Sequence, residues 1–216
     1  MTGGDRSAHG QHVRTWAADG VRAAGRLPWK RSRRDRRELV VLLDEQGRPI
    51  GTAAKATVHT SNTPLHRAFS CYLFSPDGQL LLTRRALTKA TFPGVWTNSV
   101  CGHPAPGESD TTAIRRRARQ ELRLAVTDLT VALPDFRYRA SSGGIVENEI
   151  CPVYLGRTNG RPDPAPDEVA DHEWVDWPHF MRRLEDEPRA FSPWSVLQAR
   201  QLQLGGAVER HLTGAP

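Results

Sequence analysis

Gly102-His103-Pro104-Ala105-Pro106-Gly107-Glu108-Ser109-Asp110-Thr111-Thr112-Ala113-Ile114-Arg115-Arg116-Arg117-Ala118-Arg119-Gln120-Glu121-Leu122-Arg123-Leu124 reads as a loop that turns into a helix. Gly107-Glu108-Ser109-Asp110 supplies helix-start residues. Ile114, Ala118 and Leu122 then recur at the four-residue spacing of one buried stripe, so a helix is expected to about Arg123. Glu121 lies three residues beyond Ala118, and its carboxylate points along that stripe. A carboxylate so placed wants a partner. Arg117 at i,i+4 is one, and an oxygen-ligated cation such as Mg²⁺ is the other.

Working upstream, Trp96 to Cys101 reads as a short strand that runs into Val100-Cys101-Gly102-His103-Pro104. Alternation puts Cys101 and His103 on one face. Taken alone the pair is also compatible with ordinary packing, since free Cys is among the most buried residues. Arg84, Arg85 and Lys89 precede Phe92-Pro93-Gly94-Val95-Trp96 and offer charge-assisted contacts to phosphate oxygens. Ala68 to Phe74 and Leu80 to Arg84 flank the turn Ser75-Pro76-Asp77-Gly78, a hairpin signal. Leu39-Val40-Val41-Leu42-Leu43 reads as a buried strand, so globular patterning starts near residue 38.

Downstream, Val131 to Ala140 and Ile145 to Leu155 read as two more strands, followed by a Pro-rich loop from Arg161 to Pro166. Period two places Glu147 and Glu149 on one face of the second strand. Two like charges on a partly apolar face repel, and burying them without a cation is costly. A bound metal resolves that conflict; a solvent-facing edge strand would avoid it. His59 and His66, joined by a loop able to fold back, add two imidazoles. With His103, Glu147 and Glu149 they make a three-nitrogen, two-carboxylate set suited to an octahedral divalent ion such as Mn²⁺ or Fe²⁺, with Zn²⁺ open. Near the end, Ser192 and Pro193 are an N-cap and first position for a helix carrying Trp194, Leu197, Gln201 and Leu204.

Composition bounds these readings. A chain of 216 residues suits one domain, and 38% hydrophobic with 25% charged residues is ordinary for a soluble protein. The formal charge of +6 comes from residues 1–37, which hold 10 Lys and Arg against 3 Asp, while the remainder is balanced at 20 basic and 21 acidic residues. That segment is expected to be a solvated, disordered tail, with no DNA-reading motif to make a specific nucleic-acid partner. Its Arg-rich composition leaves an organelle leader open, but the cytoplasm is the favoured location. No stretch approaches the ~20 apolar residues of a membrane span. Cys71, Cys101 and Cys151 are an odd number at wide spacing and make no disulfide framework.

With these residues in view, the sequence resembles the type 1 isopentenyl-diphosphate isomerases, whose fold is Nudix-like. The matching strings include Leu65 to Ser70, Thr83 to Lys89, Phe92 to Gly107, Pro134 to Ala140, Ile145 to Pro152 and Ala190 to Trp194. The resemblance implies an α+β fold, a mixed β-sheet core sandwiched between helices, over residues 38–204, with 205–216 left as a C-terminal tail. It implies a divalent metal on His59, His66, His103, Glu147 and Glu149. Mn²⁺ is expected there, with Zn²⁺ and Mg²⁺ as alternatives. Glu121 is implied to hold Mg²⁺ with a substrate diphosphate. Cys101 and Glu149 would exchange protons with the isoprenoid, helped by Tyr138, and Trp174 would line the pocket. Lys55, Arg85, Lys89 and Arg117 would grip the diphosphate.

The Nudix hydrolase box reads G-x5-E-x7-R-E-U-x-E-E-x-G-U, where U is aliphatic. This chain keeps Gly102, Glu108, Arg116, Glu121 and Leu124, but carries Arg117 and Gln120 for two carboxylates and Arg123 for the last Gly. Losing two metal-gathering carboxylates argues against phosphoanhydride cleavage, and Arg117 would hold a diphosphate without cutting it. Arg123 makes a left-handed helix end there strained. The expected reaction interconverts isopentenyl and dimethylallyl diphosphate through a tertiary cation, for isoprenoid biosynthesis. A hydrolase and a tail-driven nucleic-acid binder are the competing readings. A monomer is compatible with the sequence, which does not fix the oligomeric state.

Overall fold

The structure, a computed structural model, describes residues 38–214, so the expectation for the 1–37 tail lies outside the described residues. The chain opens with strands β1 (Leu39–Leu43) and β2 (Pro49–Ala54), a one-turn helix α1 (Lys55–Val58) and the two-residue strand β3 (His66–Arg67). The hairpin β4 (Phe69–Phe74) and β5 (Leu80–Arg85) follows, closed by a turn in which Gly78 takes φ 80°. Strands β6 (Trp96–Thr97) and β7 (Val100–Gly102) lead into helix α2 (Asp110–Leu122). Then come β8 (Thr127–Leu133), β9 (Arg137–Ser142), β10 (Ile145–Ile150), β11 (Val153–Arg157) and β12 (Val169–Val175). Helices α3 (Trp177–Asp186), α4 (Pro193–Leu204) and α5 (Ala207–Thr213) end the described chain.

The strands form two sheets, ordered β2-β1-β3-β10-β9 and β12-β5-β4-β11-β8, with β6 added to β5 and β7 to β4. The alternation of β5 shows how the larger sheet is sandwiched. Leu80 and Leu82 pack with Trp177, Phe180, Trp194 and Leu202 under α3 and α4, whereas Leu81 packs with Ala113, Ile114, Ala118 and Leu122 of α2. Each fully buried Leu contributes roughly 1.5–3 kcal/mol, so sequence parity alone commits α2 to one face.

Two predicted strands are each split in two. Val131 to Ala140 breaks at Pro134-Asp135 between β8 and β9, and Ile145 to Leu155 breaks at Cys151-Pro152 between β10 and β11. Proline lacks the N–H a ladder needs, so both breaks fall where the backbone cannot continue pairing. The second break is the more consequential. β3 pairs parallel with β10 and β4 pairs parallel with β11, so the two segments leave one sheet and enter the other together. Ala68 N donates to Ile150 O at 2.9 Å and Ser70 N to Pro152 O at 3.0 Å across the switch. This switch point is where the chemistry-bearing side chains converge.

Helix α2 starts as the sequence indicates, with Ser109 Oγ accepting from Thr112 N at 3.2 Å. At its other end Arg123 adopts φ 59°, ψ 23°, the left-handed C-cap for which Gly is favoured. The Arg123 guanidinium folds back and donates to the carbonyls of Gln120 and Arg119, offsetting part of that strain. Replacing Arg123 with Gly is expected to raise stability, by at most ~1 kcal/mol, in a urea melt; a loss of stability would mean the side-chain cap outweighs the backbone strain. The segment expected as a C-terminal tail contains α5, whose Val208 is buried against the α3/α4 core.

Candidate active site

Asn98 and Ser99 separate the two strands of the β4–β5 hairpin and deliver Cys101 to the switch point. Ser99 Oγ donates to Leu81 O at 2.6 Å and accepts from Leu73 N at 2.7 Å, bridging β5 to β4. Asn98 Nδ2 donates to the carbonyls of Cys71 and Val100, both at 3.0 Å. That fixes the amide so that Oδ1 faces the site, where it accepts from Cys101 Sγ at 3.0 Å and from Trp194 Nε1 at 3.2 Å. Ser70 Oγ lies 3.5 Å from Cys101 Sγ and is held by Gln198 Nε2. Burial pushes the Cys101 thiol up to about 11, against its hydrogen bonds with Ser70 and Asn98 and the charge of Arg85. Cys101 is therefore a thiol, oriented, at neutral pH.

Beside it, β3 and β10 bring His66 and Glu149 into register, and β9 sets Tyr138 opposite Glu149. His59, His66, His103 and Glu149 each aim one donor atom into a common space, all within 4.8 Å of one another. His66 Nε2 lies 3.2 Å from His103 Nε2 and 3.4 Å from Glu149 Oε1, and His103 Nε2 lies 3.1 Å from the same oxygen. His66 Nδ1 is 2.9 Å from Pro64 O, which only a protonated nitrogen can satisfy. A neutral His66 then turns a lone pair on Nε2 toward a carboxylate and a second imidazole. Glu147 lies outside the four-donor set but adjoins it. Its Oε2 is 3.2 Å from His59 Nε2, and Thr91 Oγ1 donates to its Oε1 at 2.6 Å.

These donors fit a divalent cation. His59 Nε2 is buried and makes no hydrogen bond despite its nearness to Glu147, and the lone pairs crowd one small volume. Burial disfavours charge on Glu149, but its contacts with His103 and His66 outweigh that and hold it well below the usual carboxylate range. Burial takes His103 down to about 4, against the pull of Glu149. A carboxylate oxygen facing three imidazole nitrogens is the donor chemistry of a first-row divalent ion.

A third group of charges lies on the α2 side of the metal donors. Arg117 is buried and pairs with Glu121 one turn on, with Glu168 at 3.3 Å and with Glu38 at 3.7 Å. Lys89 pairs with Glu168, and Lys55 with Glu38 at 2.7 Å. The Arg117 stem crosses Gly102 so closely that a Cβ there would stand 3.1 Å from Arg117 Cγ and from Phe69 Cζ, which accounts for glycine at that position. Arg85 differs from the others. It donates to the carbonyls of Thr91 and Phe92 and stacks 5.5 Å above the Trp194 ring, and among the described residues no carboxylate pairs with it.

Residues 64–195 match the NUDIX domain family. The isopentenyl-diphosphate Delta-isomerase of Mycolicibacterium vanbaalenii is 56% identical over 82% of this chain and 97% of its own length. The chain belongs to the isopentenyl-diphosphate Delta-isomerases. A second member, from Frankia alni, is 59% identical over 74% of this chain and 82% of its own. The fold is shared more widely: a MutT NUDIX hydrolase from Burkholderia pseudomallei superposes with a TM-score of 0.50 at 21% identity, over 64% of this chain and 98% of that one. Against the hydrolase box, this isomerase-family chain uses Glu108 to hold Arg116 and places Arg117 where a second carboxylate would stand.

Of the residues singled out in the sequence, Cys101, His59, His66, His103, Tyr138, Glu147 and Glu149 come together at the switch point, and Lys55, Lys89, Arg117 and Glu121 form the charged group beside them. Trp174 does not join them. It pairs with Leu81 and packs against the α2-side core, whereas Cys101 and Tyr138 pack against the α3/α4 side. Strand parity in β12 sends Val175 toward the site side and Trp174 away. The indole at the site is Trp194, in the first turn of α4, with its ring 5.6 Å from Tyr138 and 5.3 Å from Phe92. The Ser-Pro-Trp string in the matching sequence was its one signal. Asn98, Thr91, Ser70 and Glu168 were also missed, each an ordinary polar residue until folding supplies its partner.

Proposed function

We propose that this protein interconverts isopentenyl diphosphate and dimethylallyl diphosphate, moving the double bond one position while the diphosphate stays intact. The observation that carries the proposal is the placement of two proton carriers of opposite kind at one site: a hydrogen-bonded thiol on Cys101 and a buried carboxylate on Glu149 held by His66 and His103. A double-bond shift needs a proton added at C4 and one removed from C2, so a site must hold one loaded and one empty proton carrier. The intermediate is a tertiary cation at C3. The Trp194 face and the Tyr138 ring supply an electron-rich, water-poor surface for it, a contact of ~2 kcal/mol or more when desolvated.

A divalent ion on His59, His66, His103 and Glu149, with Glu147 alongside, would supply positive charge that sets the acidity of the Glu149 carboxyl. Mn²⁺ suits this mixed nitrogen and oxygen set, and Mg²⁺ suits an oxygen site between Glu121 and a diphosphate. Lys55, Arg85, Lys89 and Arg117 hold the diphosphate oxygens, and the hydrocarbon end reaches Cys101. The hydrolase alternative is disfavoured by Arg117 and Gln120, which stand where the hydrolase box carries two metal-gathering carboxylates. Incubation of labelled isopentenyl diphosphate with protein and Mg²⁺ is expected to give an acid-labile allylic product; phosphate release without that product would sink the proposal.

A further inference from the structure

Three cations and three carboxylates interleave in the charged group: Lys55, Lys89 and Arg117 against Glu38, Glu121 and Glu168. A cluster that is neutral as built offers little net attraction to a diphosphate. Any anion that takes Lys89 and Arg117 must take them from Glu168, whose carboxylate is the one among the described residues that touches both. Glu168 is also placed firmly. Its carbonyl accepts from Ala86 N at 3.1 Å at the end of β5, and its loop is docked on the last turn of α2, where Asp163 N and Ala165 N donate to the carbonyls of Leu122 and Glu121. The carboxylate is thus presented to the two cations by backbone anchors on both sides of the site.

Resting on the reading that Lys89 and Arg117 grip the diphosphate, we infer that Glu168 is an internal counter-ion that occupies those cations and competes with the diphosphate for them. In the substrate-free protein it removes the repulsion between two partly desolvated positive groups. On binding it is displaced, and the free energy of its two ion pairs is subtracted from the affinity. The exchange favours an anion carrying more charge than one carboxylate. A diphosphate meets that condition and a monoanionic phosphate does not, so Glu168 sharpens discrimination between them. It is a positioning and selectivity residue, and it touches no reacting carbon.

The competitor reading makes two effects of Glu168→Gln run in opposite directions. Without the carboxylate, Lys89 and Arg117 are undercompensated, so the ligand-free protein melts at a lower temperature. The same change makes inorganic diphosphate with Mg²⁺ bind roughly tenfold tighter, about 1.4 kcal/mol. KM for isopentenyl diphosphate falls with it, and the preference for diphosphate over inorganic phosphate narrows. Calorimetry on the full chain measures both affinities. Glu173→Gln, which breaks a pair between β12 and Arg183 of α3, controls for simple loss of a negative charge and is expected to leave diphosphate affinity unchanged. Unchanged or weaker diphosphate binding in Glu168→Gln overturns the inference, because the carboxylate would then be orienting the cations. Equal tightening in Glu173→Gln overturns it too. Lys89→Ala separates the underlying reading: full diphosphate affinity in that variant would remove the grip itself.

Discussion

Cys101→Ala is expected to abolish isomerisation, lowering kcat by about 10³-fold or more, while the protein stays folded. A positioned acid or base contributes roughly 10²–10⁴ in rate, and this thiol has no neighbour able to replace it. Ser70 Oγ lies 3.5 Å away but is engaged by Gln198, and Cys151 is buried behind it. The structural effect is small. The substitution removes one thiol hydrogen bond to Asn98 Oδ1, which keeps the Trp194 and Thr97 donors, so a change of ~1 kcal/mol or less in a denaturant melt is expected. Wild-type turnover in this variant would contradict the assignment of Cys101 to proton transfer. Loss of turnover together with collapse of the fold would leave Cys101→Ser to decide it, since a hydroxyl keeps the Asn98 contact but donates its proton far less readily.

The second large effect separates the two neighbouring carboxylates. Glu149 Oε1 lies within 3.4 Å of both His66 Nε2 and His103 Nε2, whereas Glu147 reaches only His59 and is braced by Thr91. Glu149→Gln is therefore expected to lose both tight metal binding and turnover. Glu147→Gln is expected to lose ~10- to 100-fold in metal affinity, as removal of a supporting carboxylate does, and to recover turnover when the metal concentration is raised. Metal titration followed by assay at saturating metal distinguishes them. Because an ion binds the folded state alone, chelation should also lower the wild-type melting temperature, and that shift should vanish in Glu149→Gln. Full recovery of Glu149→Gln with excess metal would confine Glu149 to a ligand role and remove it from proton transfer.

How far the sequence announces this site depends on the range of each interaction. Helix α2 is legible because its signals are local: Ser109 caps it, Ile114, Ala118 and Leu122 mark one face, and Glu121 sits one turn from its partner Arg117. Glu147 and Glu149 are legible because two carboxylates on one strand face demand a cation. Trp174 shows the opposite case. The described residues hold tryptophans at 96, 174, 177 and 194, and the parity of β12 against β5 is what turns Trp174 away from the site. That parity depends on a register shift between Val169 and Asp171 that no local pattern encodes. Glu168 is 79 residues from Lys89 and 51 from Arg117, so their pairing has no signature in spacing. The break at Pro152 was visible as a proline but not as a crossing between sheets, since the parallel partner strand that crosses with it, β3 into β4, lies far away in sequence.

Running the reaction in D₂O and following the product by NMR tests the central claim most directly. The account predicts dimethylallyl diphosphate carrying deuterium in the methyl group derived from C4, with the phosphorus signals of an intact diphosphate throughout. An allylic product without solvent deuterium, or the appearance of free phosphate or inorganic diphosphate in its place, would contradict it.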